Sequence, residues 1–104
     1  MTDEPAGAIS LEHGDELTDR SAEVARIWVT DGAGASVWID ARVLGDAHIF
    51  GYLMADTIRH AARAYAGTYG LTEDAALQAI VAGLSEQLRE QATEITTIQN
   101  GSLN

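Results

Sequence analysis

Cysteine and lysine are both missing from this chain, and proline occurs once, at Pro5. Without cysteine there is no disulfide, no thiolate metal site and no cysteine nucleophile, a composition that fits a cytoplasmic protein. Without lysine there is no P-loop lysine and no Schiff-base amine. All six basic residues are arginine. No run of 18 apolar residues occurs, so no transmembrane helix and no membrane association are expected. Met1 to Leu11 carry neither positive charge nor an apolar stretch, which argues against a secretory signal.

What the chain has in excess is acid. Sixteen Asp and Glu face six Arg, a formal net charge of −10. Such a chain repels a phosphate backbone, so nucleic acid is not an expected partner. The simplest role of the charge is to keep the chain soluble. At 104 residues and 46% hydrophobic content, one domain with a core is expected rather than a disordered chain. A chain this short buries only about 60–65% of its unfolded surface, which makes an isolated monomer marginal.

The acid gathers at the front. Asp3, Glu4, Glu12, Asp15, Glu16, Asp19 and Glu23 face a single Arg20, and Pro5, Gly7 and Gly14 interrupt the segment. Ile9, Leu11 and Leu17 show no sustained period, so residues 1–22 read as an acidic flexible arm. From Glu23 the pattern becomes alternating. Ala25, Ile27 and Val29, then Val37, Ile39 and Ala41 beyond the Asp31-Gly32-Ala33-Gly34 turn, define one aliphatic face of a hairpin. Pairing Val29 with Val37 sets Trp28 opposite Trp38 and Arg26 opposite Asp40, around a Gly32-Ala33-Gly34 loop.

A helix is expected after an Asp46 cap, with Phe50, Leu53, Met54, Thr57, Ile58, Ala61, Ala64 and Tyr65 at helical spacing, punctuated by Gly67 and Gly70. Thr72 caps a second helix whose stripe is Leu77, Ile80, Val81, Leu84 and Leu88. Thr93, Thr96 and Thr97 are poor helix formers, so 93–104 reads as a loose tail. The expected fold class is α+β: a two-stranded antiparallel β-hairpin followed by two α-helices packed on one face, all within a compact domain of residues 23–92.

Motifs for chemistry are sparse. Gly32-Ala33-Gly34-Ala35-Ser36 has the look of a phosphate loop, yet it joins strand to strand rather than strand to helix, which makes it a hairpin turn. His13, His48 and His60 show no pair at i, i+4, so no metal site is expected, and Asp56 and His60 read as a surface contact on a helix. No serine lies in a nucleophile elbow. Sixteen acids in a short chain make chance carboxylate pairs inevitable, and a small hairpin with two helices leaves little room for a desolvated acid–base site. No cofactor is expected, and the balance weighs against an enzyme.

Two surfaces stand out. The first is a tryptophan ledge, Trp28 and Trp38 flanked by Arg26, Asp40 and Arg42; aromatic residues and arginine are enriched in interface hot spots. The arm, through Ile9, Leu11 or Leu17, is the alternative cover for that ledge. The second is the polar face of the first helix, with Tyr52, Asp56, Arg59, His60 and Arg63, a candidate small-ligand or minor catalytic surface.

The strand Val24-Ala25-Arg26-Ile27-Trp28-Val29, the Asp31-Gly32 turn and Phe50-Gly51-Tyr52-Leu53-Met54-Ala55-Asp56, together with His60 and Ala64-Tyr65, resemble the domain-of-unknown-function family numbered 5076. The resemblance spans roughly residues 23–90. Phe50 stands where that family usually carries Trp, and Leu84 where it often carries Phe; both keep an apolar contact. The resemblance implies a short protein of mostly alphaproteobacterial distribution and brings no activity with it. The expectation is therefore an interaction or assembly module, a homodimer or a binder of an unidentified protein, using the tryptophan face.

Overall fold

The computed structural model describes residues 5–11 and 16–102, the side chains of 93–102 excepted. Its elements run β1 (Ala25–Thr30), β2 (Gly34–Ile39), α1 (Ala47–Tyr69) and α2 (Glu73–Ser102), an α+β arrangement of an antiparallel hairpin followed by two helices. The chain divides into two units, Met1–Gly45 and Asp46–Asn104.

In the first unit the hairpin register differs from the expected pairing by two residues. Ile27 opposes Val37, Trp28 opposes Ser36 and Arg26 opposes Trp38. The turn is the cause. Ala33 N–H donates to the Thr30 carbonyl at 3.0 Å, closing a β-turn whose third residue, Gly32, takes φ 79°. That is the position at which a type II turn demands a positive φ. Gly34, at φ 81°, then starts β2 opposite Thr30. Asp31, Gly32 and Ala33 are thus the loop residues, one position earlier than expected. Because the shift is even, side-chain parity survives. Ala25, Ile27, Val29, Ala35, Val37 and Ile39 share one face; Arg26, Trp28, Ser36 and Trp38 share the other. Asp40 N–H donates to the Val24 carbonyl at 2.9 Å and carries the pairing one step beyond the strands.

In the second unit the helix signals act where the sequence places them. Asp46 sits in extended backbone and its carboxylate accepts from His48 N–H at 2.8 Å, satisfying a donor the first turn cannot. At the other end Gly70 adopts the left-handed conformation, and Leu71 N–H reaches back to the Ala66 carbonyl at 3.1 Å. Gly67 is an interior residue of α1 and no stop. Thr72 Oγ1 accepts from Ala75 N–H at 3.0 Å, and Glu73 and Asp74 lie in the first turn of α2, where carboxylates complement the helix dipole. Three residues, Gly70 to Thr72, join the helices and return α2 along α1.

The seam between the helices is narrow. Ala62 on α1 and Ala76 on α2 are the fully buried apolar residues among those described. Phe50, Leu53, Met54, Ile58, Ala61 and Ala66 of α1 are half-buried, whereas Thr57, Ala64 and Tyr65, expected in the same stripe, are exposed. On α2, Leu77 and Ile80 are half-buried, but Val81, Leu84 and Leu88 remain open. The bounds of α2 take in Thr93, Thr96 and Thr97. Leu103 and Asn104, the end of the expected loose tail, lie outside the described residues.

Because one side-chain acceptor starts α1, Asp46→Ala is expected to destabilise the chain by about 1 kcal/mol, while Asp46→Asn stays close to wild type. Urea unfolding followed by helix circular dichroism separates the two; equal midpoints for both variants would show that the cap contributes nothing.

Candidate functional site

The tryptophan face is a groove. Pro5, Glu23, Val24, Ala25, Arg26, Trp28, Thr30, Ser36, Trp38, Ile39 and Asp40 line an open depression of about 750 Å³, wide enough for several side chains and not enclosed. The alternation of the strands puts both indoles on this face, and the turn sets their spacing. Trp28 and Trp38 stand diagonally across the ladder, not opposite one another, and among the described residues no ring contact joins them. Trp28 is half-buried; Trp38 is 60% exposed.

The expected Arg26–Asp40 ion pair is not formed. With Trp38 opposite Arg26, the guanidinium turns along its own strand and grips Glu23 with two bonds, Nη2 to Oε1 at 2.8 Å and Nε to Oε2 at 3.1 Å. Asp40 instead takes Arg42: its Oδ1 accepts from the Arg42 backbone N–H at 3.0 Å and from Nε at 3.1 Å, and its Oδ2 from Nη2 at 3.2 Å. The five residues of the ledge are thus arranged as two indoles with one ion pair on each strand, both toward the open end of the hairpin. Glu23 completes the set and was missed; its position three residues before Arg26 was the available signal.

The arm meets the groove at a point the sequence did not mark. Ala8 N–H donates to the Pro5 carbonyl at 3.0 Å, forming a small turn, and a Cβ added at Gly7 would lie 3.4 Å from Trp28 Cζ3. Ile9, Leu11 and Leu17, the residues of the alternative cover, are all exposed. Neither Pro5 nor Gly7 carries a hydropathy signal that would single it out.

The polar face of α1 is laid out as expected but less connected. Asp56, Arg59 and His60 are exposed, and among the described residues no hydrogen bond or ion pair joins Asp56 to either of the other two. Tyr52 is engaged by His48, whose Nε2 lies 3.0 Å from the phenol oxygen with the rings edge to face at 4.9 Å. Arg63 reaches across to α2, Nε to Glu73 Oε1 at 3.2 Å. Farther along α1, Tyr65 and Tyr69 stack at 5.9 Å. Among the described residues no group of three His, Asp or Glu side chains could hold a metal ion; His13 lies outside them.

The Arg42 guanidinium beside Asp40, joined by the Arg42 backbone N–H, holds that carboxyl below its ordinary value. A depressed carboxyl contributes stability that is present above the ordinary carboxylate range and lost as pH falls through the folded value. The pair is solvent-screened, so the effect is local. Arg42→Ala is expected to raise the Asp40 titration midpoint toward that of a free carboxylate, read by carbon-detected NMR of the side-chain carboxyl. An unchanged midpoint would mean that the guanidinium does not act on it.

No helix among the described residues is long and apolar enough to cross a membrane. No curated protein matches the chain. A solved structure described as "Structure of a putative pyruvate dehydrogenase from the photosynthetic bacterium Rhodopseudomonas palustrus CGA009" is 36% identical, with a TM-score of 0.62 over 84% of this chain and 86% of that one. Residues 15–92, a span that includes the whole hairpin, both caps and the helix seam, match the family described as Domain of unknown function (DUF5076), and the chain belongs to that family.

Proposed function

We propose that this chain is a cytoplasmic, self-associating interaction module whose contact surface is the tryptophan groove of the hairpin. The observation that carries the reading is an indole left 60% exposed beside a second one in an open groove with two ion pairs at the open end of the hairpin. Covering such a surface releases the water held against it. Large aromatic side chains supply most of the energy of protein contacts, and each indole offers on the order of 200 Å². Arg26–Glu23 and Arg42–Asp40 pair charges at the open end of the hairpin, which lowers the cost of bringing an identical copy to that end. The absence of cysteine supports the cytoplasmic setting.

A small-ligand site on α1 is the second reading, and the geometry favours it less. Tyr52 and Arg63 already have partners, and Asp56, Arg59 and His60 stand exposed on a convex helix surface rather than in a desolvated cleft. The solved structure described as a putative pyruvate dehydrogenase supplies no residue assignment that favours this second reading.

Association through one half-buried and one exposed indole is partly offset by lost rotational freedom and polar desolvation, so a weak to moderate dimer is expected. In sedimentation equilibrium, wild type should associate at high concentration, and Trp28→Ala/Trp38→Ala should weaken the dimer at least about tenfold, equivalent to about 1.4 kcal/mol. A wild type that stays monomeric, or a folded double variant that associates as strongly, would refute the reading.

A further inference from the structure

We infer that the Pro5–Ala8 turn is a latch that competes with a second copy of the chain for the tryptophan groove; the inference rests on the self-association reading above. Its basis is the seating of the arm. Pro5 lines the groove, and Gly7 lies beside Trp28, where an added Cβ would make ordinary van der Waals contact with Cζ3 at 3.4 Å. The Ala8-to-Pro5 hydrogen bond closes this segment into a turn of small residues, a shape that fits beside an indole without filling the groove. The covering is one-sided: Trp28 is half-buried while Trp38 is left open.

The hold is slight. The next apolar residues of the arm, Ile9 and Leu11, are 87% and 67% exposed and add little to it. A proline ring and a glycine Cα cover only part of one large aromatic side chain, whereas another copy would bring two indoles to the same surface. The Trp28 ring cannot be covered by both at once. Residues 9–22 reach about 45 Å when extended, ample for the turn to swing clear while the chain stays whole. Association then requires release of the latch in both copies, and the apparent affinity of the dimer falls with the square of the fraction of chains in which the latch is open.

Gly7 is the position at which to test this, because the full chain and the whole hairpin stay intact. Gly7→Ala adds a Cβ that fits at ordinary van der Waals distance, whereas Gly7→Asp adds a carboxylate whose hydration competes with seating of the turn on the ring. Two readouts are needed on wild type and both variants: the Trp28 indole N–H resonance in dilute monomer, assigned with Trp28→Ala, and the dimer constant from sedimentation equilibrium. The expected result is that Gly7→Asp moves the indole resonance toward its solvent-exposed position and tightens the dimer by roughly three- to tenfold. It should do so although the added negative charge opposes association of a chain already at −10. Gly7→Ala should change neither readout.

An indole resonance unmoved by Gly7→Asp would overturn the latch, because the turn would not be seated on Trp28. A moved resonance with an unchanged or weaker dimer would also overturn it; weakening would mean that the arm joins the interface instead of blocking it. In those cases the self-association reading survives if Trp28→Ala/Trp38→Ala still weakens the dimer. Wild type and both Gly7 variants all monomeric at high concentration would sink both proposals together.

Discussion

Two glycines at the tip of the hairpin decide what the tryptophan face looks like. Gly32 and Gly34 both take positive φ, a conformation that strains any residue with a Cβ, and the Thr30–Ala33 turn places them there. Everything along the ladder follows from that closure. Thr30 faces Gly34, so Trp28 faces Ser36 and Arg26 faces Trp38. The two indoles are offset, and the space between them becomes a groove in place of a stacked pair. Arg26 and Asp40 are separated, and each carboxylate–guanidinium contact becomes local, Arg26 with Glu23 and Arg42 with Asp40. A turn one residue later would have built a flat ledge with one cross-strand ion pair.

That difference also marks the limit of what the sequence can disclose. Hydrophobic alternation identifies which face each strand residue occupies, but it is blind to even shifts, because a slip of two returns every side chain to its own side. The faces were therefore legible and the partners were not. Helix ends were readable for the opposite reason: a cap is a contact within three or four residues, and Asp46, Gly70 and Thr72 carry it in their own chemistry. Gly67 misled because an isolated glycine is tolerated inside a long helix. Helical spacing assigned Tyr65 and Leu88 to apolar stripes, yet spacing cannot say how wide a stripe the neighbouring helix covers. With alanines at the seam, the helices meet along a thin line and leave the flanking residues open. The Pro5–Gly7 contact on Trp28 was invisible because its residues are small and their partner is distant in sequence.

A sparse interior gives these open residues their meaning. Ala62 and Ala76 bring almost no side-chain volume to the interior, so burial of large apolar groups is partial among the described residues of the helical unit. In the hairpin unit both faces carry exposed apolar side chains, among them Val29 at 77% on the aliphatic side. A two-stranded hairpin is at best marginally stable in water. Local contacts add little to that: about 1 kcal/mol at a good cap and less at an exposed ion pair. Any process that covers further apolar surface in the folded state then adds to stability directly, since a partner that binds only the folded chain draws the folding equilibrium with it. Under the self-association reading, folding and assembly are coupled quantities in this protein.

Charge sets the opposing force and selects where a contact is tolerable. At −10 per chain, two copies repel over roughly a Debye length, about 8–10 Å at physiological salt. Seven of the sixteen acids lie before Val24, most of them in the arm, so repulsion is greatest where the arms meet and least where acids are already paired with arginine. The open end of the hairpin beside the tryptophan groove is such a place, with Glu23 and Asp40 each held by a guanidinium. The acidic arm and the groove are consequently not independent features. While the Pro5–Ala8 turn rests on Trp28, it occupies part of the surface that a second copy must approach. Under the latch inference, release of the turn is what opens the Trp28 side of the groove to a second copy.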